Sequence, residues 1–293
     1  MVETMPETCH ICGASKIRFF CEKRGYRLYE CLNCDILFVH PMPADLSAIY
    51  TEEYFRNVDK KDSHGYTDYD KDKEPMRAAF INSLKKIERA TPGRKIFDIG
   101  AATGYFLDLA RQRSWTTYGS EISQYGAAEA RARGHEMIYG DVSKMDELPQ
   151  VDAVTMWDVL EHVANPADFC KTVNRMLPKG GIFLINTPDC KSLWARLLGS
   201  RWQLIVPPEH VHYYAPKNMR MLLEASGFEV VEISRMGKKF SIPYIFKMLW
   251  SWQRLILWDW LARLTDNRVL RRVRVPINLR DNMFVFARKV HDI

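Results

Sequence analysis

Apolar and polar positions change their period along this chain, and each change marks an element. The apolar run Ile96 to Ile99 reads as a buried parallel strand. Gly100 and Gly104 interrupt it, and Tyr105, Phe106, Leu107, Leu109 and Ala110 then follow at helical spacing. Further strands are predicted over Thr116–Ile122, Glu136–Val142, from Val151 to about Trp157, over Gly180–Pro188 and Phe228–Ser234, and near 282–290. Before the first of these, Pro75 opens an amphipathic helix that runs to about Ala90, where Thr91-Pro-Gly93 stops it. Strand and helix alternate to about residue 236, the pattern of an α/β, doubly wound, mostly parallel sheet of seven strands, the last antiparallel.

The N-terminal stretch lacks that rhythm. It carries Cys9-His-Ile-Cys12 and Cys31-Leu-Asn-Cys34, with eighteen residues between the inner cysteines. Two C-x-x-C turns at this distance form knuckles that close around one tetrahedral Zn(II). Four thiolates fill the coordination sphere, so the predicted site is structural. Arg18-Phe-Phe-Cys and Tyr26-Arg-Leu-Tyr-Glu read as the short strands of a zinc ribbon that closes at Pro43. The remaining three cysteines, Cys21, Cys170 and Cys190, are isolated, which points to metal in a reducing compartment rather than to disulfides.

The turn between Ile99 and Tyr105 is built for a close ligand. Glycine has no Cβ to hold a ligand off, and the helix N-terminus behind it offers unpaired N–H groups. A dinucleotide site would want G-x-G-x-x-G, but here Gly100 and Gly104 are separated by three residues, with Ala102 between them. Asp98-Ile-Gly-Ala-Ala-Thr-Gly-Tyr-Phe106 instead resembles the first motif of class I S-adenosylmethionine (SAM)-dependent methyltransferases, D/E-x-G-x-G-x-G, with Ala102 as its one departure. Order and spacing support the likeness over about residues 75–236. Glu121 ends the second strand, Gly140-Asp141-Val142 ends the third, and Asp158-Val-Leu-Glu-His-Val163 follows the fourth.

The resemblance implies a Rossmann-like sheet and SAM as cofactor. It implies that Asp98, Gly100, Ala102, Gly104, Tyr105, Phe106, Glu121, Asp141, Val142 and Asp158 bind that cofactor. Glu121 is expected at the ribose hydroxyls and Asp141 at the adenine amino group. Tyr105, Phe106 or Trp157 is expected to present a π face or a carbonyl to the positive sulfur.

Asp158, Glu161 and His162 share a face if the chain after Trp157 turns helical. Three roles stay open for them: local structure, proton transfer by His162, or a divalent cation, as assigned in ubiquinone-pathway O-methyltransferases that this motif resembles. Downstream, Pro208-Glu-His-Val-His-Tyr-Tyr214 lies in a loop leaving the fifth strand. His210 and His212 are two apart, and one is expected to face a substrate while the other faces the protein. His162 and His210 are the candidate catalytic bases.

Composition changes the picture in one place. The 293 residues carry a net charge of +6, but Arg235 to Val275 holds ten Lys/Arg against two Asp, a local +8. The rest is therefore near −2. Within this segment, Phe240 to Leu261 carries four of the eight tryptophans and is interrupted by Lys247, Arg254 and Asp259, so it is not a clean membrane span. Covering the active site, a homodimer contact and a peripheral membrane contact through 240–275 all stay open.

Met1 to Thr8 has two acids and no apolar core, so no leader is expected, and the chain is read as cytoplasmic or peripheral at the inner membrane face. The organisation that results is a zinc ribbon over 1–43 and a helix with linker or lid over 44–74. A SAM-binding core over 75–236, a hydrophobic and basic insertion over 237–280 and a final core strand over 281–293 complete it. The expected reaction is O-methylation of a sugar, a lipid-linked molecule or another small-molecule hydroxyl. Two other classes fit the sequence less well. An NAD-dependent oxidoreductase lacks its glycine fingerprint here, and a nucleic-acid-binding ribbon protein lacks an interleaved basic and aromatic strand face.

Overall fold

The computed structural model describes residues 5–43, 73–235, 238–253, 255–267, 269–271, 273–277 and 280–293. The predicted helix and linker over 44–74 falls almost wholly outside them.

Seven strands form the main sheet. They are β4 (Lys95–Ile99), β5 (Thr116–Glu121), β6 (Glu136–Tyr139), β7 (Ala153–Trp157), β8 (Ile182–Pro188), β10 (Phe228–Ser234) and β13 (Asn282–Lys289). Their order is β10-β13-β8-β7-β4-β5-β6. Pairing is parallel from β6 across to β8, and β13 runs antiparallel to both β8 and β10. The seven-stranded, mostly parallel α/β sheet expected from the alternation is present.

Apolar residues at neighbouring positions face opposite sides, as the pleat requires. Ile96, Ile182 and Leu184 pack on one side with Phe80, Leu84 and Ile87 of α1 (Arg77–Ala90) and with Phe106 and Leu107 of α2 (Tyr105–Arg111). Phe97, Ile99, Phe183 and Ile185 pack on the other side. There they meet Phe169 and Val173 of α4 (Pro166–Met176) and Met219 and Leu223 of α6 (Pro216–Ala225). Each such fully buried Leu, Ile or Phe stabilises the fold by about 1.5–3 kcal/mol. The helix α3 (Gln124–Ala132) leaves β5 with Ser123 as its N-cap, and α5 (Leu193–Leu198) follows β8.

The ribbon contains β1 (Ile17–Lys23), β2 (Tyr26–Cys31) and β3 (Leu37–Val39). It does not stand apart as a domain over 1–43. A two-residue strand, β9 (His212–Tyr213), joins its edge, with Leu37 opposite Tyr213 and Phe38 opposite His212. Tyr29, Cys31, Cys34, Ile36 and Phe38 belong to the same buried cluster as Met219, Leu222 and Leu223. A ribbon of this length cannot bury a core by itself, so it uses the α4/α6 side of the sheet.

The insertion is a stalk and a helical hairpin. β11 (Lys238–Ser241) pairs antiparallel with β12 (Arg274–Ile277), and between them lie α7 (Ile242–Gln253) and α8 (Ile256–Leu264). Among the described residues, no helix is long and apolar enough to cross a membrane.

Candidate functional site

The C-terminal edge of the parallel strands gathers the acids. The turn after β4 runs through Gly100, Ala102 and Gly104 at φ of +72°, +49° and +89°. The first two amides of the turn, Gly100 N and Ala101 N, both donate to the Ser120 carbonyl. Gly100 has no room for a side chain, because a Cβ there would lie 2.5 Å from Val159 Cγ2.

Glu121, at the end of β5, is buried and accepts from Ala102 N and Ser123 N, each at 2.9 Å. It thereby ties the glycine turn to the neighbouring strand end. Burial pushes its carboxyl up in pKa, opposed by those N–H donors. Asp141, beyond β6, accepts from Ser143 N and Ser143 Oγ at 2.9 and 2.7 Å, and Val142 behind it is buried. Asp98 lies inside β4, bonded by Thr155 Oγ1 at 2.6 Å, and burial raises its pKa to about 8.

Ala102 is the residue that departs from the glycine pattern, and its backbone shows the cost. Non-glycine residues at such φ pay about 1–2 kcal/mol. Ala102→Gly is expected to leave the fold intact and to raise stability by up to about 1 kcal/mol, part of the strain relief being offset by the freer unfolded chain. A thermal melt checks this, and a lowered midpoint contradicts it.

The aromatic residues expected near the cofactor divide. Tyr105 donates through Oη to Glu74 Oε2 at 2.5 Å. Phe106 and Trp157 are buried in the core, with Phe106 5.0 Å from Trp157 and Phe80 4.6 Å from Trp157 between ring centroids.

Asp158, Glu161 and His162 do not share one face of a regular helix. Asp158 sits at φ +56°, where β7 must turn sharply, and a single 3-10 turn covers Leu160–His162. The side chains diverge accordingly. Asp158 pairs with Lys73 at 3.3 Å. Glu161 is buried and accepts from Thr187 Oγ1 at 2.9 Å, while its Oε1 has no protein partner among the described residues. Burial and the nearby Asp158 raise the Glu161 pKa to about 8.

His162 donates from Nδ1 to the Glu209 carbonyl at 2.6 Å, and its ring stands 4.7 Å from that of His210. His210 donates from Nδ1 to the Leu204 carbonyl at 2.9 Å. Burial lowers their pKa values to about 4 and about 3, so both rings are neutral at pH 7. His212, in β9, has other partners: its Nδ1 donates to the Val163 carbonyl at 3.0 Å, and its ring lies 4.6 Å from that of His10. The loop is held over the 3-10 turn by Val211 N, which donates to the Glu161 carbonyl at 2.9 Å, and by Tyr214 Oη, which donates to the Leu160 carbonyl at 3.3 Å.

Lys73 and Thr187 escape a reading of the sequence. Lys73 falls in a charged stretch that reads as linker, and nothing local marks it. Thr187 is one polar residue near the end of a predicted strand, where an inward hydroxyl is a recognisable signal.

The four ribbon cysteines converge, with their Sγ atoms all within 4.8 Å of one another. The closest pairs, Cys9–Cys34 and Cys12–Cys31, are 3.6 Å apart. Zn–S bonds of about 2.3 Å in a tetrahedron place sulfurs roughly 3.8 Å apart. A disulfide needs about 2.05 Å. The donor set and its spacing therefore fit Zn(II).

Residues 68–233 match the family of methyltransferase domains. The chain is 27% identical over 183 residues to the mitochondrial ubiquinone biosynthesis O-methyltransferase of Arabidopsis thaliana, covering 55% of this chain and 57% of the relative. The chain thus spans little more than half the length of that protein. It is 27% identical over 177 residues to the ubiquinone biosynthesis O-methyltransferase of Pseudomonas aeruginosa, covering 55% and 74%. In fold it is similar to a SAM-dependent methyltransferase of Thermotoga maritima, with a TM-score of 0.52 at 18% identity over 84% of this chain and 100% of that one. With the glycine turn, the acids at successive strand ends and a family match over more than half its length, the chain belongs to the class I SAM-dependent methyltransferase family.

Proposed function

We propose that the protein transfers a methyl group from SAM to a hydroxyl of a small-molecule acceptor. The observation that carries this reading is Glu121, a buried carboxylate bonded to the glycine turn through Ala102 N and standing at the C-terminal end of β5, the edge where nucleosides bind in such sheets. Bound there, SAM supplies a methyl group on a sulfonium, an electrophile that chiefly requires alignment and a dry site. Glu121 would hold the ribose hydroxyls and Asp141 the adenine. Gly100, Ala102 and Gly104 would bring backbone close to the ligand, with Asp98 and Asp158 beneath and beside it. The names of the Arabidopsis and Pseudomonas relatives favour an acceptor of the ubiquinone-biosynthesis type over a sugar or glycolipid.

A hydroxyl acceptor must lose its proton as the bond to carbon forms. His210 suits that role. Its Nδ1 proton is fixed on the Leu204 carbonyl, which places the lone pair on Nε2, and burial keeps the ring neutral at pH 7 while making it a weaker base. His162 braces it, ring against ring, and ties the Glu209 carbonyl down. General-base assistance is worth about 10²–10⁴-fold. His210→Ala is therefore expected to lower kcat at least about a hundredfold with SAM affinity unchanged, and His162→Ala to lower it less. Full turnover in His210→Ala would remove it from the reaction.

A second reading uses the same residues. One ligand atom from each of Glu161, His162 and His210 lies within 4.8 Å of the other two, and Glu161 Oε1 is buried without a protein partner among the described residues. That set suits a divalent cation that would orient the acceptor oxygen. Loss of activity in chelator, restored by Mg(II) or Mn(II) while the ribbon keeps its metal, would favour it over the base.

A further inference from the structure

Both junctions of the insertion lie at one edge of the sheet. Ser234, the last residue of β10, is opposite Phe284, and Asn282, the first of β13, is opposite Pro188 at the end of β8. This is the edge that carries Gly100, Glu121 and Asp158. Arg235 pairs with Asp189 at 2.5 Å there, and β11 lies against the turn Glu74–Met76, whose Glu74 accepts from Tyr105. The stalk therefore places the helical hairpin beside the mouth of the candidate site.

The hairpin has an inside and an outside. Inside, Phe246 of α7 stacks on Trp258 of α8, with ring centroids 6.0 Å apart, and Ala262 is buried. Outside, α8 exposes Ile256, Leu257, Trp260 and Leu264, with Ile256 83% and Leu264 60% accessible. These positions recur at helical spacing on one face. On α7, among the described side chains, Tyr244, Lys247 and Trp250 are exposed and fall on one stripe. Tyr and Trp with a Lys between them are side chains that have an apolar body and a polar end. Arg263 and Arg271 are exposed, each beside an acid, Asp259 and Asp266, and the segment from Arg235 to Val275 still carries a local charge of +8.

We propose that this face seats on an anionic lipid bilayer, lying in its interface without crossing it. Twelve and nine residues make helices too short to span about 30 Å of hydrocarbon at 1.5 Å per residue. Apolar side chains enter the acyl boundary, the aromatic residues sit at headgroup depth, and the basic side chains meet phosphate. A second copy of the chain is the poorer occupant, because a symmetric contact would bring two segments of the same +8 charge together. Docking in this way turns the candidate site toward acceptors dissolved in the membrane. The placement stands independently of the methyl-transfer reading.

The test is sedimentation of the full chain with vesicles of phosphatidylcholine alone or with phosphatidylglycerol added, at about 0.1 and 0.5 M salt. Binding at least tenfold stronger to the anionic vesicles, weakened by the higher salt, is expected. Trp260→Ser with Ile256→Ser should reduce it at least tenfold while the melting temperature holds. Brominated lipid should quench the fluorescence of the wild type and less that of a Trp260→Phe variant, a readout that does not depend on the double variant folding. Equal binding to both vesicles overturns the electrostatic argument. No binding, with a dimer in sedimentation equilibrium that Trp260→Ser dissolves, gives the face to a second copy and overturns the proposal.

Discussion

Glu121→Ala is expected to raise the dissociation constant for SAM at least about a hundredfold, because two hydrogen bonds to a charged acceptor, worth about 1.5–3 kcal/mol each, would be lost. The effect has two sources. The carboxylate would accept the ribose hydroxyls, and it also holds the turn in place, since Ala102 N and Ser123 N both donate to it at 2.9 Å. Removing it leaves two buried N–H groups unpaired, each costing about 1–3 kcal/mol, so the melting temperature should fall as well. Glu121→Gln separates the two sources. It keeps the volume and one acceptor oxygen, so it should recover part of the stability and little of the affinity, because its amide cannot accept from a second N–H. Calorimetry on folded samples of both variants decides the matter. Unchanged SAM affinity in Glu121→Ala would take Glu121 out of the cofactor site.

The core is legible because its signals are local. The run from Ile96 to Ile99 can only be buried on both faces, and Gly100 and Gly104 mark a turn that must take positive φ. Acids at the ends of consecutive predicted strands then fall together because parallel strands end on one edge. What sequence patterns did not carry is long-range or depends on a single residue. β9 is two residues long and pairs with β3 across more than 170 positions, so no periodicity announces it. The ribbon therefore reads as a separate domain, while in the structure its core continues into that of α4 and α6. The shared helical face of Asp158, Glu161 and His162 failed for a related reason. The end of β7 has to reverse direction at once, which puts Asp158 at φ +56° and leaves room for only one 3-10 turn. The different surroundings of His210 and His212 were not legible: residues two apart in a continuous strand share a face, but His210 lies before β9, after a turn at 207–209 that no periodicity announces.

Cys31→Ser, or stripping of the metal by a chelator, is expected to melt more than the ribbon. Metal analysis of the intact protein should find about one zinc per chain, held by Cys9, Cys12, Cys31 and Cys34. Ribbons of this kind draw their folding energy from the metal, so its loss should unfold β1 to β3. Those strands do not unfold alone. Val39 N donates to the Val211 carbonyl at 2.9 Å, and Phe38 is opposite His212. Asn218 Nδ2 donates to the Cys34 carbonyl at 3.1 Å, and Lys191 pairs with Glu30 at 2.5 Å. Val211 N in turn holds the Glu161 carbonyl, and Glu209 and His210 lie immediately before it on the loop that braces His162. Loss of zinc should therefore release the histidine strand. Hydrogen exchange reads this directly. Amides of residues 211–214 should lose protection together with those of residues 17–39, while β4 and β7 in the middle of the main sheet keep theirs. Protection retained at Val211 and Tyr213 in metal-free protein would show that the loop is held by the core alone, and the zinc would then be a support for the ribbon with no reach into the site.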